Sequence, residues 1–319
     1  MAITEKKFGL DAVTDCLTSL AVDFRLEDGS QGASGRQYAF KSLRNPGPSG
    51  IFFLVKGLGR TFEISDSIIV CNEHEDWGTN NALIIVADPQ LVYYKLMASL
   101  VGVPALRKGI HPTAVVDAEA SISPDAWIGP YCVIGNCEIA ARVQLHSHVV
   151  VMDGSVLEED VVIEPHSTIG ATGVAWVWDP AARQRVMQPQ TGYTIIGAGS
   201  FLGSDITVVR GSVNEATTVG KNCVIAHGSK IGHGSRIGDE CHFANNISIA
   251  GNVTLGERCF LGAASVVRPQ ITLASGIVVG AGAVVVSSFD EKNIVLAGVP
   301  AKKIQKESDR LSGVPKRLD

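Results

Sequence analysis

Hydrophobic positions in the second half of the chain follow a period of six. From Val219 onward an aliphatic or aromatic residue stands at every sixth place: Val219, Ile225, Ile231, Ile237, Phe243, Ile249, Leu255, Leu261, Val267, Leu273, Val279 and Val285. A helix face repeats every ~3.6 residues and a half-buried strand every second residue. Neither period fits. A chain that turns a corner after every sixth residue does, with three flat faces to a coil of 18 residues. The residue after each anchor is commonly small, as in IGHGSR, IGDECH and LGAASV. The spacing predicts a parallel β-helix built from hexapeptide repeats, in which successive coils stack at the usual strand distance of about 4.8 Å.

The same pattern runs earlier. Ile122, Ile128 and Ile134 are in step, one residue is dropped, and Ile139, Leu145, Val151, Leu157, Ile163 and Ile169 continue. After a long break come Ile196, Leu202 and Val208, and a shorter break, RGSVNEATT, leads to Val219. The long break, ATGVAWVWDPAARQRVMQPQTGYT, carries Trp176, Trp178 and Tyr193. Long loops inside compact arrays are commonly functional, and three aromatics predict a surface that packs on a neighbour or a ligand. Cys223, Cys241 and Cys259 lie 18 apart, each four residues after an anchor. That slot points inward, which predicts a ladder of small apolar thiols rather than a redox or metal centre.

Residues before the repeat read differently. EKKFGLDAVTDCLTSL predicts a helix, SGIFFLV, SDSIIVC and ALIIVAD predict short apolar strands, and ADPQLVYYKLMASLVG predicts a second helix with Asp88 as N-cap and Pro89 in its first position. The predicted organisation is a small N-terminal α/β domain over 1–108, a β-helix over 109–288 with an inserted loop at 171–194, and a short C-terminal tail over 289–319 that leaves through GVPAKKI.

Hydrophobic residues at 45% and charged residues at 18% allow a sizeable core. A net charge of −5 speaks against non-specific nucleic-acid binding, which needs a basic face. No long apolar run follows the N-terminal lysines and no stretch is long enough to span a bilayer, so neither a signal peptide nor a membrane span is expected. Seven cysteines without a CxxC pair predict a reduced, cytoplasmic protein with no zinc site.

The hexapeptide repeat resembles that of the β-helical acyltransferases, and acyl transfer to an amine, which the resemblance implies, needs a base for the amine proton and donors for a tetrahedral oxyanion. Histidine suits the first task near neutral pH. Of the eight histidines, His227 and His233 fall in the outward slot two residues after an anchor, in consecutive hexads. One coil above His233 stands Gly251, where a missing side chain leaves room for a carbonyl and the N–H can donate. One coil above His227 stands Asn245, followed by Asn246, a candidate polar contact. The outward faces of such prisms pack around a threefold axis, which would set the cleft between two subunits of a homotrimer.

These stretches resemble the UDP-3-O-acylglucosamine N-acyltransferases of lipid A biosynthesis. The resemblance runs through SGIFFLV and ADPQLVYYKLMASL, IHPTAVVDAEA, GATGVAW and QPQTGYTIIG, TVVRGSV, KIGHGSRIGDECHFANNISIAGNVTLG and LGAASVV. It implies a left-handed β-helix, a uridine-binding first domain, and His233 as general base. The related O-acyltransferase implies an oxyanion role for Gly251. On the same footing Phe53, Lys56, Trp176, Trp178, Tyr193, Arg210, His227, Asn245 and Asn246 are candidates for the sugar-nucleotide side, and Arg268, Lys302 and Lys303 for the acyl donor.

The sequence also departs from that family. Lys56 and Gly59 stand where the family tends to have an asparagine and a uracil-stacking tyrosine. Thr172, Val174 and Trp176 replace an Asp, Phe and Tyr of its loop, and a second family histidine falls near Gln270. The tail is expected to lack most of the helices by which that family recognises acyl carrier protein. The ending GVPAKKI instead resembles acetyl-CoA-dependent sugar acetyltransferases, with Lys302 and Lys303 placed to meet CoA phosphates.

The expected activity is therefore an N-acyltransferase acting on a nucleotide-linked amino sugar. Acyl-CoA or acyl carrier protein would be the co-substrate, and no tightly bound cofactor is expected. Two other classes compete: a β-helix metalloenzyme such as a γ-type carbonic anhydrase, whose His-x4-His pair is not matched by the spacings of His227, His233 and His242, and a non-catalytic trimeric scaffold that binds a sugar nucleotide.

Overall fold

In the computed structural model, residues 5–29, 35–54, 63–74 and 76–304 are described, and the chain divides into two compact units, Met1–Ala105 and Leu106–Asp319.

The first unit contains α1 (Leu10–Ser19), β1 (Arg25–Asp28), β2 (Ala39–Phe40), β3 (Gly50–Leu54), β4 (Ile68–Cys71), β5 (Ala82–Ile85) and α2 (Pro89–Val101). The sheet order is β1-β5-β4-β3-β2, parallel except for β1 against β5. Both sides of its centre are covered, so its strands read as unbroken apolar runs. Ile51, Ile68, Val70 and Ile84 meet Val13 and Leu17 of α1 and Val92 and Leu96 of α2, whereas Phe52, Leu54, Ile69, Cys71 and Leu83 join Trp77 in a second cluster. The Asp88 carboxylate accepts the Leu91 N–H at 3.0 Å, capping α2, and Pro89 needs no acceptor at the first position. The edge strands β1 and β2 escape the sequence pattern: RLED is polar and mostly exposed, and Ala39–Phe40 is only a pair of residues.

The second unit is a three-sided parallel β-helix whose faces carry sheets of 11, 9 and 8 strands among the described residues. Taken in chain order, the first face includes Val224–Ile225 and His242–Phe243, the second Lys230–Ile231 and Ser248–Ile249, and the third Arg236–Ile237 and Thr254–Leu255. Ile225 stacks under Phe243, Ile231 under Ile249 and Ile237 under Leu255. The anchors from Val219 to Val285 are all at most 3% exposed, and each buried aliphatic side chain contributes about 1.5–3 kcal/mol. The residues four after an anchor also point inward. Cys223, Cys241 and Cys259 are buried and free, and each sulfur donates to a corner carbonyl at 3.3 Å. Ser235 fills the same kind of slot and donates to the Ala250 carbonyl at 3.0 Å, so its buried hydroxyl is satisfied.

The coils do not stop at 288. Val295–Ala297 adds a parallel strand beside Val278–Val279, and Lys302–Ile304 turns back antiparallel upon it. The expected exit at 289 is thus too early for the first face. An uncovered coil end exposes unpaired backbone groups, and these two strands cover it. They lack the six-residue pattern, which is why the repeat alone does not reveal them.

Candidate active site

Between Ile122 and Val285 the repeat fails at one corner only, the turn from the second face to the third. Ile134 and Ile139 are five apart, Ile169 and Ile196 are 27 apart, and Val208 and Val219 are 11 apart, where six is regular. All three intervals begin on the second face and end on the third. His233 sits at this same corner, between Ile231 and Ile237, with the two enlarged turns in the coils beneath it.

The long insert leaves after Ala171 and returns at Tyr193. Between them it forms an antiparallel hairpin, Trp176–Asp179 against Gln184–Met187, with Trp176 opposite Met187 and Val177 opposite Val186. Its apolar side chains are exposed: Trp176 at 52%, Trp178 at 56% and Val177 at 66%. The Arg185 guanidinium lies over the Trp176 ring at 5.5 Å.

The shorter break is knitted to the roots of this insert. The Arg210 N–H donates to the Ala171 carbonyl at 2.9 Å, the Thr191 N–H to the Ser212 carbonyl at 2.9 Å, and the Tyr193 N–H to the Glu215 carbonyl at 3.0 Å. The Arg210 guanidinium donates to the Gly170 and Asp153 carbonyls at 3.0 and 2.9 Å, bracing the corner across two lower coils. Within the break, Glu215 Oε1 accepts the Ser212 N–H at 3.1 Å.

Against this support lies the half-buried His233. Its Nδ1 is 3.0 Å from Ser212 Oγ. The other edge of the ring faces Gly251, so closely that a Cβ added there would stand 2.5 Å from Nε2. The coil is pinned at this point by the Asn252 N–H, which donates to the His233 carbonyl at 2.7 Å. A base with one nitrogen anchored and the other beside a glycine backbone can take a proton in a place where a carbonyl can approach.

The other candidates are placed as follows. Arg268 is exposed at the same corner, one coil above Ala250, and Gln270 donates its N–H to the Gly251 carbonyl at 3.1 Å. His227 lies at a different corner, between the first and second faces, with Asn245 and Asn246 in the coil above it. Its Nδ1 accepts the Ser204 N–H at 2.8 Å. Asn246 Oδ1 occupies the space of any side chain at Gly228, whose φ of +77° suits glycine. One chain therefore joins His233 and Gly251 but sets His227, Asn245 and Asn246 on another edge of the prism. Lys302 and Lys303 are exposed on the last first-face strand, where Lys303 pairs with Glu291. Phe53 belongs to the first unit and contacts Tyr93 and Tyr94, with ring centres 5.1 and 6.3 Å away. Lys56 and Gly59 lie outside the described residues. Sequence reading missed Ser212 and Glu215. Their signal was the second break itself, which is polar and directly beneath His233.

A family model described as the hexapeptide repeat of succinyl-transferase matches residues 193–233, 216–250 and 252–287. The UDP-3-O-acylglucosamine N-acyltransferase of Polynucleobacter asymbioticus is 31% identical over 40% of this chain and 40% of its own length. That of Coxiella burnetii is 30% identical over 47% of this chain and 51% of its own. The chain thus spans about half or less of these curated relatives. The crystal structure of UDP-N-acetylglucosamine O-acyltransferase from Moraxella catarrhalis superimposes with a TM-score of 0.55 at 27% identity, over 61% of this chain and 73% of that one. The six-residue repeat, the three-sided coil and these likenesses agree: the chain carries the hexapeptide repeat and, over part of its length, is similar to the UDP-3-O-acylglucosamine N-acyltransferases.

Proposed function

We propose that this protein is an N-acyltransferase that moves an acyl group from a thioester to the amine of a nucleotide-linked amino sugar, in the manner of its lipid A relatives. The observation that carries the reading is His233, held at Nδ1 by Ser212 with Nε2 over Gly251. The amine nitrogen attacks the thioester carbon while His233 Nε2 takes its proton. The Gly251 N–H donates to the oxyanion that forms, the C–S bond then breaks, and the thiolate leaves with a proton returned from the imidazolium.

The donor is an acyl carrier protein or a coenzyme A thioester. Arg268, Lys302 and Lys303 are the cations we assign to its phosphates. Trp176, Trp178, Tyr193, Arg210, His227, Asn245 and Asn246 are assigned to the sugar-nucleotide side, as is the first unit through Phe53 and Lys56. The working form is a homotrimer with the cleft between two copies. That brings the first-to-second corner of one copy, with His227, towards the His233 corner of the next, and covers outward first-face side chains such as Phe201 and Val224, which are 36% and 42% exposed. A cytoplasmic location fits the buried thiols of the β-helix, such as Cys223, Cys241 and Cys259, which form no disulfide. No helix of the described residues is long and apolar enough to cross a membrane.

The test is thiol release by the purified full chain. Acetyl-CoA, 3-hydroxyacyl-CoA and 3-hydroxyacyl carrier protein are each offered against a panel of UDP- and dTDP-amino sugars. His233→Ala should leave the oligomer intact and cut turnover by roughly a hundredfold or more. Full activity in that variant would sink the assignment of His233, whereas no thiol release from the wild-type chain with any donor and acceptor pair would favour a binding scaffold.

A further inference from the structure

We infer that Ser212 is a positioning residue for His233, accepting the Nδ1–H so that Nε2 keeps its lone pair, and that Glu215 fixes Ser212 for this task. The inference rests on the reading of His233 as the base. A neutral imidazole carries one N–H and one lone pair, and the partner of one nitrogen decides the state of the other. Ser212 Oγ, 3.0 Å from Nδ1, can accept from it or donate to it. If the hydroxyl donated, the ring proton would sit on Nε2, facing Gly251, and the base would be blocked. The donated bond would also be lost at the moment of catalysis, because an imidazolium has donors on both nitrogens. With Oγ as acceptor, the same bond serves before and after proton transfer.

The surroundings favour the second arrangement. Glu215 Oε1 takes the Ser212 N–H at 3.1 Å and lies 2.9 Å from where a Cβ would stand on Gly234, so the carboxylate holds Ser212 in place beneath the His233–Gly234 segment. Gly234, at φ +64°, turns its N–H onto Thr217 Oγ1 at 2.8 Å, which keeps that segment close to the break. His227 shows the opposite state. Its Nδ1 accepts a backbone N–H, which cannot serve as acceptor, so its lone pair is committed there and its neutral form carries the proton on Nε2. Two outward histidines in consecutive hexads are thus held as opposite tautomers, one a base and one a donor.

The experiment measures kcat, KM and melting temperature for Ser212→Ala, Ser212→Thr, His233→Ala and the double variant Ser212→Ala/His233→Ala of the full chain. Ser212→Ala should lower kcat by about ten- to a hundredfold, leave KM for the amino sugar within about twofold, and leave the melting temperature unchanged. Ser212→Thr, which keeps the hydroxyl, should recover most of the loss. On top of His233→Ala, removal of Ser212 should cost nothing more. Losses that multiply in the double variant, or a wild-type kcat in Ser212→Ala, would overturn the inference while leaving His233 as the base. An active His233→Ala would instead remove the reading on which it rests.

Discussion

Gly251→Ala is the sharpest perturbation of the His233 corner, because it adds one methyl group and changes no charge. The added carbon would stand 2.5 Å from His233 Nε2, 2.7 Å from Cε1 and 2.9 Å from Cδ2. Ordinary contacts between such atoms lie near 3.5–4.0 Å, so something must move by about 1 Å. The backbone is poorly placed to yield. Ala250 donates to the Val267 carbonyl at 3.0 Å, Asn252 to the His233 carbonyl at 2.7 Å and Gln270 to the Gly251 carbonyl at 3.1 Å. The ring is half-buried and can swing outward. In doing so it stretches its 3.0 Å contact with Ser212 beyond hydrogen-bond range. The stability cost is small, about 1 kcal/mol or less, since the displaced group is a partly exposed side chain. Under the proposed reaction the catalytic cost is large, about a hundredfold in kcat, because a base misplaced by about 1 Å loses its line to the amine. Thiol release at saturating substrate, beside a thermal melt, separates the two. A Gly251→Ala enzyme with wild-type kcat would refute the argument. A melting temperature far below wild type would show that the coil, not the ring, gave way.

Four further outcomes follow from packing and charge. All seven cysteines are buried, and burial pushes the Cys137 thiol up to about 12. A thiol reagent at pH 8 should therefore find no fast-reacting group in the native protein and seven in denaturant (about half of free thiols ionise near pH 8.5). Asp160 is held below the usual carboxylate range by its hydrogen bonds with Arg142, so its contribution is present above about pH 4 and lost as pH falls through the lowered value. The melting temperature of Arg142→Ala should trail wild type at neutral pH and converge with it in strong acid. Asp88→Ala removes the cap on Leu91 and should destabilise the first unit by about 1 kcal/mol in urea unfolding of the full chain. Trp176→Ser with Trp178→Ser should leave the β-helix melt unchanged, because these rings are exposed on the hairpin, and raise KM for the amino sugar if the arm borders its site.

The fold is legible from sequence to the extent that burial is periodic. Ile225, Ile231 and Ile237 can be read as inward anchors because an inward slot recurs every six residues, and the thiol ladder follows from the same arithmetic. The strands β3 to β5 and the cap of α2 are legible because apolar runs and an Asp-Pro start have local causes. What escapes is whatever owes its place to neighbours. Arg25–Asp28 is a strand because β5 offers an edge, not because RLED favours extension, and Val295–Ala297 because the last coil needs a cover.

The candidate site shows the same divide more sharply. Gly251 over His233 can be counted from the sequence, since those coils differ by 18. The support under His233 cannot. Across the second face the pairing Thr207 to Lys230 spans 23 residues, which would set Arg210 beneath His233. Across the third face Thr218 to Arg236 spans 18, which would set Glu215 there. Both counts are correct on their own face, and they disagree because the coil between them is five residues too long. The surplus becomes the turn that carries Ser212 to the ring, 21 residues before it in sequence. A regular hexapeptide corner has no such depth, because each outward slot is backed only by the slot one coil below. His227, at a regular corner, is held through the backbone N–H of the slot below it, Ser204, whereas His233 meets a hydroxyl that lies off that grid. The enlarged turns at this one corner supply it, so the chemistry we propose sits where the repeat is broken.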